Sequence, residues 1–480
     1  MTVRRESHPG VGAAASGGKI DREWERPGHG SLVLNRRMFA SLAHRDFRYL
    51  WTGNLAAMFA MQMQMVARGW LIFAMTGSAI ALAWTLVSFM APMFVFSLVG
   101  GVVADRLKKK WVMVAGQGLN IVATLILATI IITGNVTLTH FILFGIFNGA
   151  ILAFSMPARQ AIIPEIVGEK ALFNAMALST ASMNLSRILA PAMAGVLIAL
   201  VAGGNNTSTL GVGIVFYIIA ACYAVSVVTL AALRHEGGSV MTERRSLGGD
   251  MMEGIRYMRR SPVIMGLLVM TFIPIIFGMP VQLLLPVFNE EILQGGAAGL
   301  GLLYGGMGIG ALVGSLVLAA MGDVRHKGYF LIGACLVWAV FMAIFALSTA
   351  MWAALLLLAF VGLASTAFMA LNWTIMQLVV KPEMRGRVMS ILMMSFGLMP
   401  LGVIPMGFLT EALGIDIALL IGAIGLGVLT LVAAIAIPAI RRIDTGYETL
   451  EQSEEPTPQP QVVVAEAQVA VAEATVVGDE

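Results

Sequence analysis

The stretch from residue 80 to residue 110 decides how the rest of the chain is interpreted. Residues 80–104 read IALAWTLVSFMAPMFVFSLVGGVVA, and the charged run DRLKKK, residues 105–110, follows at once. A helix needs about 20 mostly apolar residues to cross the hydrocarbon core of a bilayer. Lysines and arginines collect at the cytoplasmic ends of such helices. The stretch therefore predicts a transmembrane helix that ends at the cytoplasmic face of a membrane.

Similar apolar runs occur along most of the chain. Hydrophobic residues make up 58% of the sequence and charged residues only 12%, against about 25% charged residues in a typical soluble protein. In lipid these runs must be helices, because the backbone finds no water there, and they are too long and too uniform for barrel strands. We predict an all-α membrane protein with twelve transmembrane helices. They lie near residues 49–75, 80–104, 111–133, 138–158, 172–202, 209–233, 263–288, 299–321, 329–348, 351–379, 388–412 and 417–440.

The lysines and arginines lie on one side of this arrangement. Counted along the alternating loops, every basic residue except Arg68 and Arg187 falls on the side that carries residues 105–110. This asymmetry predicts a multi-pass protein of the bacterial inner membrane with both termini in the cytoplasm. The net charge of +3 is explained by basic loops that face anionic lipid headgroups. We therefore expect the lipid bilayer, and no nucleic acid, as a partner.

Polar segments divide the chain into two halves and two tails. The halves are predicted to be pseudo-symmetric six-helix bundles, because the apolar runs fall six and six around a polar stretch, as in many transporters. Within that stretch, residues 251–258 fit either an amphipathic helix on the inner leaflet or a solvated tether. The tails have the composition of disordered segments. The predicted divisions are a cytoplasmic N-terminal tail at 1–45, an N-terminal bundle at 46–234, a cytoplasmic linker at 235–261, a C-terminal bundle at 262–442 and an acidic cytoplasmic C-terminal tail at 443–480.

Several short motifs resemble those of one known family. The loop that runs from Gly100-Gly101 through Asp105-Arg106 to the lysines resembles the signature loop of the major facilitator superfamily. Other stretches are similar to the drug- and siderophore-export branch of that superfamily, to which enterobactin exporters and macrolide efflux proteins belong. They lie at residues 44–48, 76–78, 157–165 and 382–388. The resemblance covers about residues 44–442 and implies the major facilitator fold.

The signature loop implies a gate at the cytoplasmic face. In the family, contacts of this loop fasten the cytoplasmic side when the binding site faces outward, and the resemblance assigns that role to Gly101, Asp105, Arg106 and Lys109. A glycine lets neighbouring helices approach closely, and an aspartate adds nothing to positive-inside topology. The alternative is that the loop only sets the topology. One departure is Lys108, which stands where the family signature has glycine.

Two arginines inside predicted helices are the best candidates for substrate binding. An arginine at the centre of a membrane helix costs about 2.5–3.5 kcal/mol even on a lenient scale, so Arg68 and Arg187 are expected to be functional. No carboxylate lies deep in any predicted span to neutralise them, which favours an anionic or oxygen-rich small-molecule substrate. The alternative is that each arginine only binds backbone carbonyls at a helix break. The candidates for a substrate cavity are Asn54, Gln64, Arg68, Asn184, Arg187, Asn372 and Gln377.

The sequence favours a secondary active transporter that exports a drug, a siderophore or a metabolite by alternating access. The alternatives are an uptake transporter and a non-transporting sensor or scaffold on the same fold. An enzyme and an ATP-driven pump are disfavoured, because neither a catalytic constellation nor a Walker A motif occurs. Cys222 and Cys335 lie in separate predicted spans, so we expect no disulfide, no metal site and no cofactor.

The coupling ion is less well determined by the sequence. Proton antiport is usual in the resembled family, but Ala190 replaces the glycine of its antiporter motif, and no Asp, Glu or His lies in the middle of a predicted span. Coupling through the outer acids Glu290 and Glu291, or uniport, are the two remaining possibilities. We expect the transporter to be a monomer.

Overall fold

The computed structural model describes most of the chain between residues 40 and 443. Its described ranges are 40–202, 209–238, 247–321 and 326–443. Within them, the side chains of residues 40, 97–106, 169–170, 173, 202, 247–251 and 382–383 are not described. All regular structure in the described ranges is helical, which confirms the all-α fold class. The predicted C-terminal tail beyond residue 443 and the N-terminal tail up to residue 39 lie outside the described residues.

The helices follow one another with short connections. In chain order they are α1 (Arg45–Thr76), α2 (Ala79–Arg106), α3 (Lys109–Ile132), α4 (Leu138–Gly168), α5 (Asn174–Val201), α6 (Thr209–Ala231), α7 (Leu247–Arg260), α8 (Pro262–Phe277), α9 (Pro280–Glu291), α10 (Gly296–Met321), α11 (Lys327–Ala346), α12 (Met351–Val379), α13 (Pro382–Ser395), α14 (Pro400–Leu413), α15 (Ile415–Ala436) and α16 (Pro438–Arg441). Two short 3-10 helices lie at Ala40–Ala43 and Phe396–Leu398.

A single glycine separates α4 from α5. Gly168 has φ 67° and ψ 174°, a conformation that glycine adopts readily and that a side chain makes costly. Without this break, residues 138–202 would form one helix of 65 residues, which is about three times the length that crosses a bilayer. The break therefore turns one long helical stretch into two membrane spans.

Eleven helical spans of the described residues are long and apolar enough to cross a membrane. Two of them are broken near their centres: α8 continues into α9 through Gly278, and α13 continues into α14 through the 3-10 helix at 396–398. The first predicted span lies in α1, which has 32 residues but carries more polar and charged side chains than the eleven spans. The helical spans are thus confirmed, and the twelfth crossing, by α1, stays a prediction.

The first half, α1–α6, is held together by close helix contacts at small residues. A Cβ atom added at Gly149 of α4 would lie 2.0 Å from the carbonyl oxygen of Phe89 in α2. One added at Gly53 of α1 would lie 2.4 Å from the hydroxyl of Thr229 in α6. Such backbone-to-helix contacts are typical of packing in membranes, where small residues let helices approach closely.

The second half also has close helix contacts at glycines, here along α10. A Cβ atom at Gly310 would lie 1.8 Å from the carbonyl oxygen of Ala359 in α12, and one at Gly314 would lie 2.5 Å from that of Leu363. The opposite face of α10 packs on the first half, because a Cβ atom at Gly301 would lie 2.7 Å from the carbonyl oxygen of Pro191 in α5. Helix α10 is therefore fixed between α12 and α5.

The two halves meet along α5 with α10 and along α2 with α14. We call the end of the bundle that carries residues 107–108 and the linker the linker end, and the opposite end, which carries residues 77–78 and 414, the far end. The contact at Gly195 of α5 lies in the far-end part of the bundle, and so does the contact of Gly407 in α14 with Ala79. Among the described residues, the contacts between halves thus lie at the far end and at the centre.

Residues 40–45 were expected in the disordered tail, but the structure shows them folded. Ser41 is fully buried, and both its backbone N–H and its hydroxyl donate hydrogen bonds to Asn174 Oδ1 at the start of α5, at 3.0 and 2.6 Å. Helix α1 already begins at Arg45. The folded part of the chain therefore starts a few residues before the predicted boundary at residue 46.

The central linker contains a helix, α7, that packs on the protein. Its Glu253 lies 2.9 Å from Arg387 of α13, and the Tyr257 hydroxyl accepts a hydrogen bond from the backbone N–H of Lys381 at 3.3 Å. Met258 is buried, while Arg256 and Arg259 on the other face are exposed. The amphipathic pattern of residues 251–258 therefore corresponds to a helix with one face on α13, and not to a free tether.

Candidate functional site

A cluster of polar side chains occupies the interior of the first half. Arg159 Nη1 of α4 donates a hydrogen bond of 2.7 Å to Asn54 Oδ1 of α1. The Tyr223 hydroxyl of α6 donates to Gln64 Oε1 of α1 at 3.3 Å. Tyr223 also interacts with Arg159. Because apolar helices surround these groups, the cluster forms a polar site enclosed by the bundle.

Two asparagines extend the cluster to a third helix. Asn148 Nδ2 of α4 donates to Asn120 Oδ1 of α3 at 3.1 Å, and Asn148 also interacts with the hydroxyl of Tyr223. Asn120 and Tyr223 are both buried. Buried amides and phenols are normally paired, and here each finds its partner on a neighbouring helix. The network therefore fixes α1, α3, α4 and α6 relative to one another around Tyr223.

Arg68 connects this cluster with the second half. Its guanidinium lies near the phenol groups of Tyr223 and of Tyr304 in α10. The Tyr304 hydroxyl in turn donates a hydrogen bond to the carbonyl oxygen of Gln282 in α9. Arg68 thus lies where α1 of the first half faces α9 and α10 of the second half.

Three arginines of the interior lack an acidic partner. Arg68, Arg159 and Arg187 are each half-buried, and none of them forms an ion pair with a carboxylate of the described residues. An arginine that faced lipid would be costly, so we place the accessible part of each side chain on the inside of the bundle. The three side chains together make the interior electropositive.

Arg187 and Asn184 lie on α5, where this helix packs on α10. The backbone of Arg187 is close to α10, since a Cβ atom at Gly308 would lie 3.0 Å from the Arg187 carbonyl oxygen. Asn184 is half-buried, and neither side chain forms a hydrogen bond within the described part of the chain. Gly308 lies one helical turn beyond Tyr304, the residue that interacts with Arg68. Both predicted arginines therefore lie beside the same helix of the second half.

The remaining two candidates lie elsewhere. Asn372 of α12 is fully buried and donates a hydrogen bond of 2.7 Å to the Thr271 hydroxyl of α8. This contact joins two helices of the second half, as buried amides often do in membranes. Gln377 is exposed near the linker end of α12. Among the described residues, neither side chain forms a hydrogen bond with the three arginines.

Arg159 was not among the sequence candidates. The predicted fourth span ended at residue 158, which placed Arg159 in a cytoplasmic loop, whereas α4 continues to Gly168. Arg159 is therefore about 13 Å inside the linker end of α4, at 1.5 Å per residue. Its position could have been found from Ile162 and Ile163, because the apolar pattern resumes after Arg159-Gln160.

Lys109 of the signature loop binds within the first half. Its side chain is 4% exposed and lies 2.7 Å from Glu165 of α4, and its ammonium also donates to the carbonyl oxygen of Gly238. The other carboxylate oxygen of Glu165 lies 3.1 Å from His235 Nε2. The side chains of Gly101, Asp105 and Arg106 are among those not described. The predicted role of this loop as a gate at the cytoplasmic face therefore stays a prediction.

Neighbouring charges fasten the start of the linker to the same loop. Lys108 Nζ lies 2.5 Å from Glu236 Oε2, and the indole N–H of Trp111 donates to the other Glu236 oxygen at 3.4 Å. The hydrogen bonds from these two residues hold the pKa of Glu236 below its ordinary value of 4.5. Asp46 Oδ2 of α1 accepts hydrogen bonds from the backbone N–H groups of Arg234 and His235, at 3.1 and 2.7 Å. The linker therefore begins as an ordered part of the first half.

One carboxylate joins the halves at the far end. Glu411 Oε1 of α14 accepts a hydrogen bond from the Ser78 hydroxyl, just before α2 begins, and another from the backbone N–H of Ile80 at 3.2 Å. The Ser78 oxygen also accepts from the Ala81 N–H at 3.1 Å. The first N–H groups of a helix carry a partial positive charge that favours an anion. Glu411 thus binds the N-terminus of a helix in the other half.

Comparison with protein families identifies what kind of protein contains this site. The family model described as "Transmembrane secretion effector" (MFS_3) matches residues 37–472, which include both halves. The chain belongs to this family. It is therefore a membrane transporter of the major facilitator superfamily, as its motifs predicted, and not an enzyme.

Curated relatives of the transporter are named as efflux proteins. The multidrug efflux pump Tap of Mycolicibacterium fortuitum is 26% identical over 392 residues, which are 79% of this chain and 92% of that protein. The enterobactin exporter EntS of Shigella flexneri is 24% identical over 296 residues, 62% of this chain and 68% of that protein. The macrolide efflux protein A of Streptococcus pyogenes is 23% identical over 348 residues, 72% and 84% of the two chains.

Solved structures of other transporters share the fold. The nucleoside transporter NupG matches with a TM-score of 0.63 at 17% identity, over 83% of this chain and 99% of NupG. A bacterial homologue of the human lysosomal transporter Spinster, in an inward-facing and unoccupied conformation, matches with a TM-score of 0.59 at 14% identity, over 85% and 96% of the two chains. These likenesses confirm the major facilitator fold.

In this major facilitator transporter the central polar cluster lies beside the contact between the two halves. Of the sequence candidates, Asn54 binds Arg159, Gln64 accepts a hydrogen bond from Tyr223, and Arg68 lies near Tyr223. Arg187 lies farther along the α5–α10 contact. Substrate sites in such folds lie between the halves near the middle of the membrane. The cluster is therefore the candidate functional site.

Proposed function

We propose that the transporter exports an anionic small molecule across the bacterial inner membrane by alternating access between its two halves. The observation that carries this proposal is the set of interior arginines, Arg68, Arg159 and Arg187, without a carboxylate partner in the described residues. A buried cation is stabilised by an opposite charge that forms hydrogen bonds to it. A substrate with a carboxylate, phenolate or phosphate group would supply that charge.

The positions of the contacts between halves support alternating access. Halves that rock about a central site open one end while the other is closed. Here the contacts of Gly195 with α10 and of Glu411 with α2 lie towards the far end. In this arrangement the central site would be reached from the linker end, which the positive-inside pattern assigns to the cytoplasm. That is the state in which an exporter loads its substrate.

The direction of transport is supported by the relatives. Tap, EntS and the macrolide protein are named as an efflux pump, an exporter and an efflux protein. Nothing in the central cluster itself favours export over uptake, because alternating access is reversible. Direction therefore needs a measurement.

Dye flux in membrane vesicles of known orientation tests the proposal. Inside-out vesicles that contain the transporter should accumulate the anionic dye carboxyfluorescein and should not accumulate the cationic dye rhodamine 6G. Arg68→Gln should reduce this accumulation at least tenfold, since it removes one charge from the site. The matched control Arg259→Gln changes an exposed arginine of α7 and should transport normally.

Three results would contradict the proposal. Accumulation only in right-side-out vesicles would make the protein an uptake transporter. Accumulation of rhodamine 6G in place of carboxyfluorescein would show that the substrate is not anionic. Equal loss of activity in the Arg68 and Arg259 variants would remove the central cluster from the mechanism.

A further inference from the structure

Arg159 has unused hydrogen-bonding capacity. A guanidinium carries five N–H donors, and within the described residues its one hydrogen bond goes to Asn54 Oδ1. Asn54 is a neutral acceptor and leaves the positive charge of Arg159 uncompensated. Tyr223, the other group with which Arg159 interacts, is also neutral in its ordinary protonation state. The site around Arg159 therefore holds a net positive charge.

A purely structural arginine would be paired differently. The cations at the linker end show the contrast, because Lys109 binds Glu165 and a backbone carbonyl, and Lys108 binds Glu236. Lys110, which is buried, donates to the carbonyl oxygen of Leu233 at 2.7 Å. Arg159 has neither a carboxylate nor a backbone carbonyl as partner among the described residues.

Arg159 and Arg68 lie at different depths along one path. Arg159 contacts Asn54, and Asn54 precedes Arg68 by two complete heptads of α1, about 21 Å along the helix axis. Tyr223 lies near both arginines, and its hydroxyl donates to Gln64, which precedes Arg68 by one helical turn. Arg159 is the arginine nearer the linker end, and Arg68 is the one beside Tyr304 of the second half.

We propose that Arg159 is a substrate-binding residue that takes the anionic group of the substrate from the linker end, and that Arg68 forms a second anion position beyond Tyr223. This inference rests on the proposed anionic substrate. It adds a loading position in the first half alone, oriented by Asn54. The ligand class is a small molecule with at least one carboxylate, phenolate or phosphate group, because guanidinium groups bind such oxygens with charge-assisted hydrogen bonds.

Charge-selective labelling tests the loading position without the natural substrate. Met58 lies one turn after Asn54 on the same face of α1 and is half-buried. In a Cys222→Ala, Cys335→Ala background, Met58→Cys supplies one thiol close to Arg159. The protein is placed in nanodiscs, where both faces are open, and the thiol is labelled with an anionic or a cationic methanethiosulfonate reagent (MTSES or MTSET).

The ratio of the two labelling rates reports the local charge. We take the ratio as the rate of the anionic reagent divided by the rate of the cationic reagent. A positive charge beside the thiol raises this ratio, and Arg159→Gln should lower it about tenfold, as removal of one nearby charge does at an intermediate dielectric constant. Arg159→Lys should keep most of the ratio, because it keeps the charge. Arg259→Gln on the exposed face of α7 is the matched control and should leave the ratio unchanged.

The outcomes separate this inference from the proposed function. A ratio that does not change in Arg159→Gln while the Met58 thiol is labelled overturns the inference, and export of carboxyfluorescein would then still stand through Arg68. Failure of labelling by both reagents also overturns it, since the loading position would then be closed to ligands. A lowered ratio in a protein that exports no anion would keep the anion position and reject the proposed function. If Arg159→Gln does not fold, the Arg159→Lys protein labelled at low and high salt gives the same answer, because only a charge effect is screened by salt.

Discussion

Replacing Glu411 by glutamine should open the far end of the transporter. The carboxylate accepts hydrogen bonds from the Ser78 hydroxyl and from the Ile80 N–H at 3.2 Å, and it lies at the positive end of α2. A hydrogen bond to a charged group contributes about 1.5–3 kcal/mol, and a charge at a helix terminus about 0.3–1 kcal/mol. Glutamine has the same size and keeps a neutral acceptor, and the site is exposed, so the expected loss is about 1 kcal/mol.

That loss changes the balance between two conformations. If the contact exists only when the far end is closed, 1 kcal/mol corresponds to a roughly fivefold rise in the ratio of open to closed protein. Ala79, the first residue of α2, is 1% exposed and should become accessible on opening. The maleimide labelling rate of Ala79→Cys, measured in a background without Cys222 and Cys335, should therefore rise about fivefold in Glu411→Gln.

Two further variants make this measurement decisive. Glu291→Gln makes the same change of charge at the far end, but in the described residues Glu291 forms no hydrogen bond with the first half. The labelling rate of Ala79→Cys should therefore not change in Glu291→Gln. Combining Ser78→Ala with Glu411→Gln should give less than the sum of the single effects, because both remove the same contact. A labelling rate within twofold of the parent in Glu411→Gln, or an equal rise in Glu291→Gln, would refute the reasoning.

Other features of the structure lead to further predictions. Gly310→Ala should lower the stability of the detergent-solubilised protein by about 1–3 kcal/mol, because the added methyl group has no space. The control Gly333→Ala should be neutral or slightly stabilising, because nothing lies within 4 Å of its Cβ position. Lys109→Met should lower the stability by about 1 kcal/mol, because it removes the ion pair of the buried Lys109 ammonium with the partly exposed carboxylate of Glu165. Thermal unfolding measures both changes. Glu236→Gln should lower the melting temperature at pH 7 but not in acid. The pKa of Glu236 in the folded protein lies below 4.5. Its ion pair therefore stabilises the fold above pH 4.5, and this stabilisation is lost as the pH falls through the lowered pKa.

Each of these predictions has its own counter-result. Equal melting temperatures for Gly310→Ala and Gly333→Ala would show that α10 moves aside without cost. Adding Glu165→Gln to Lys109→Met should restore part of the lost stability, and no restoration would mean that the two side chains are not coupled. A melting-temperature difference for Glu236→Gln that persists unchanged below pH 3 would attribute its effect to something other than the carboxylate charge.

Local hydropathy predicted most of the fold correctly. Eleven apolar spans follow from the length of the apolar runs, since lipid forces each run to be a helix. The errors occur where polar residues enter a helix. Arg159 and Gln160 ended the predicted fourth span ten residues too early, because a local average cannot show that a charged side chain has a partner such as Asn54 on another helix.

The candidate site could be predicted only in part. Asn54, Gln64 and Arg68 were found because they are polar residues at helical spacing within one predicted span. Tyr223 and Tyr304 were missed, because a tyrosine in an apolar helix gives no signal of function until the tertiary structure places it near an arginine of another helix. Asn372 was selected by the same reasoning as Asn54, yet the structure pairs it with Thr271 away from the arginines.

The sequence by itself determined that this chain is a helical membrane protein of the major facilitator superfamily, because apolar length, charge asymmetry and short motifs are properties of neighbouring residues. Only the tertiary structure decided which side chains meet: Arg159 with Asn54, Lys109 with Glu165, and Glu411 with the start of α2. Their partners lie between 56 and 331 positions away along the chain, and helix packing alone brings them within hydrogen-bonding distance.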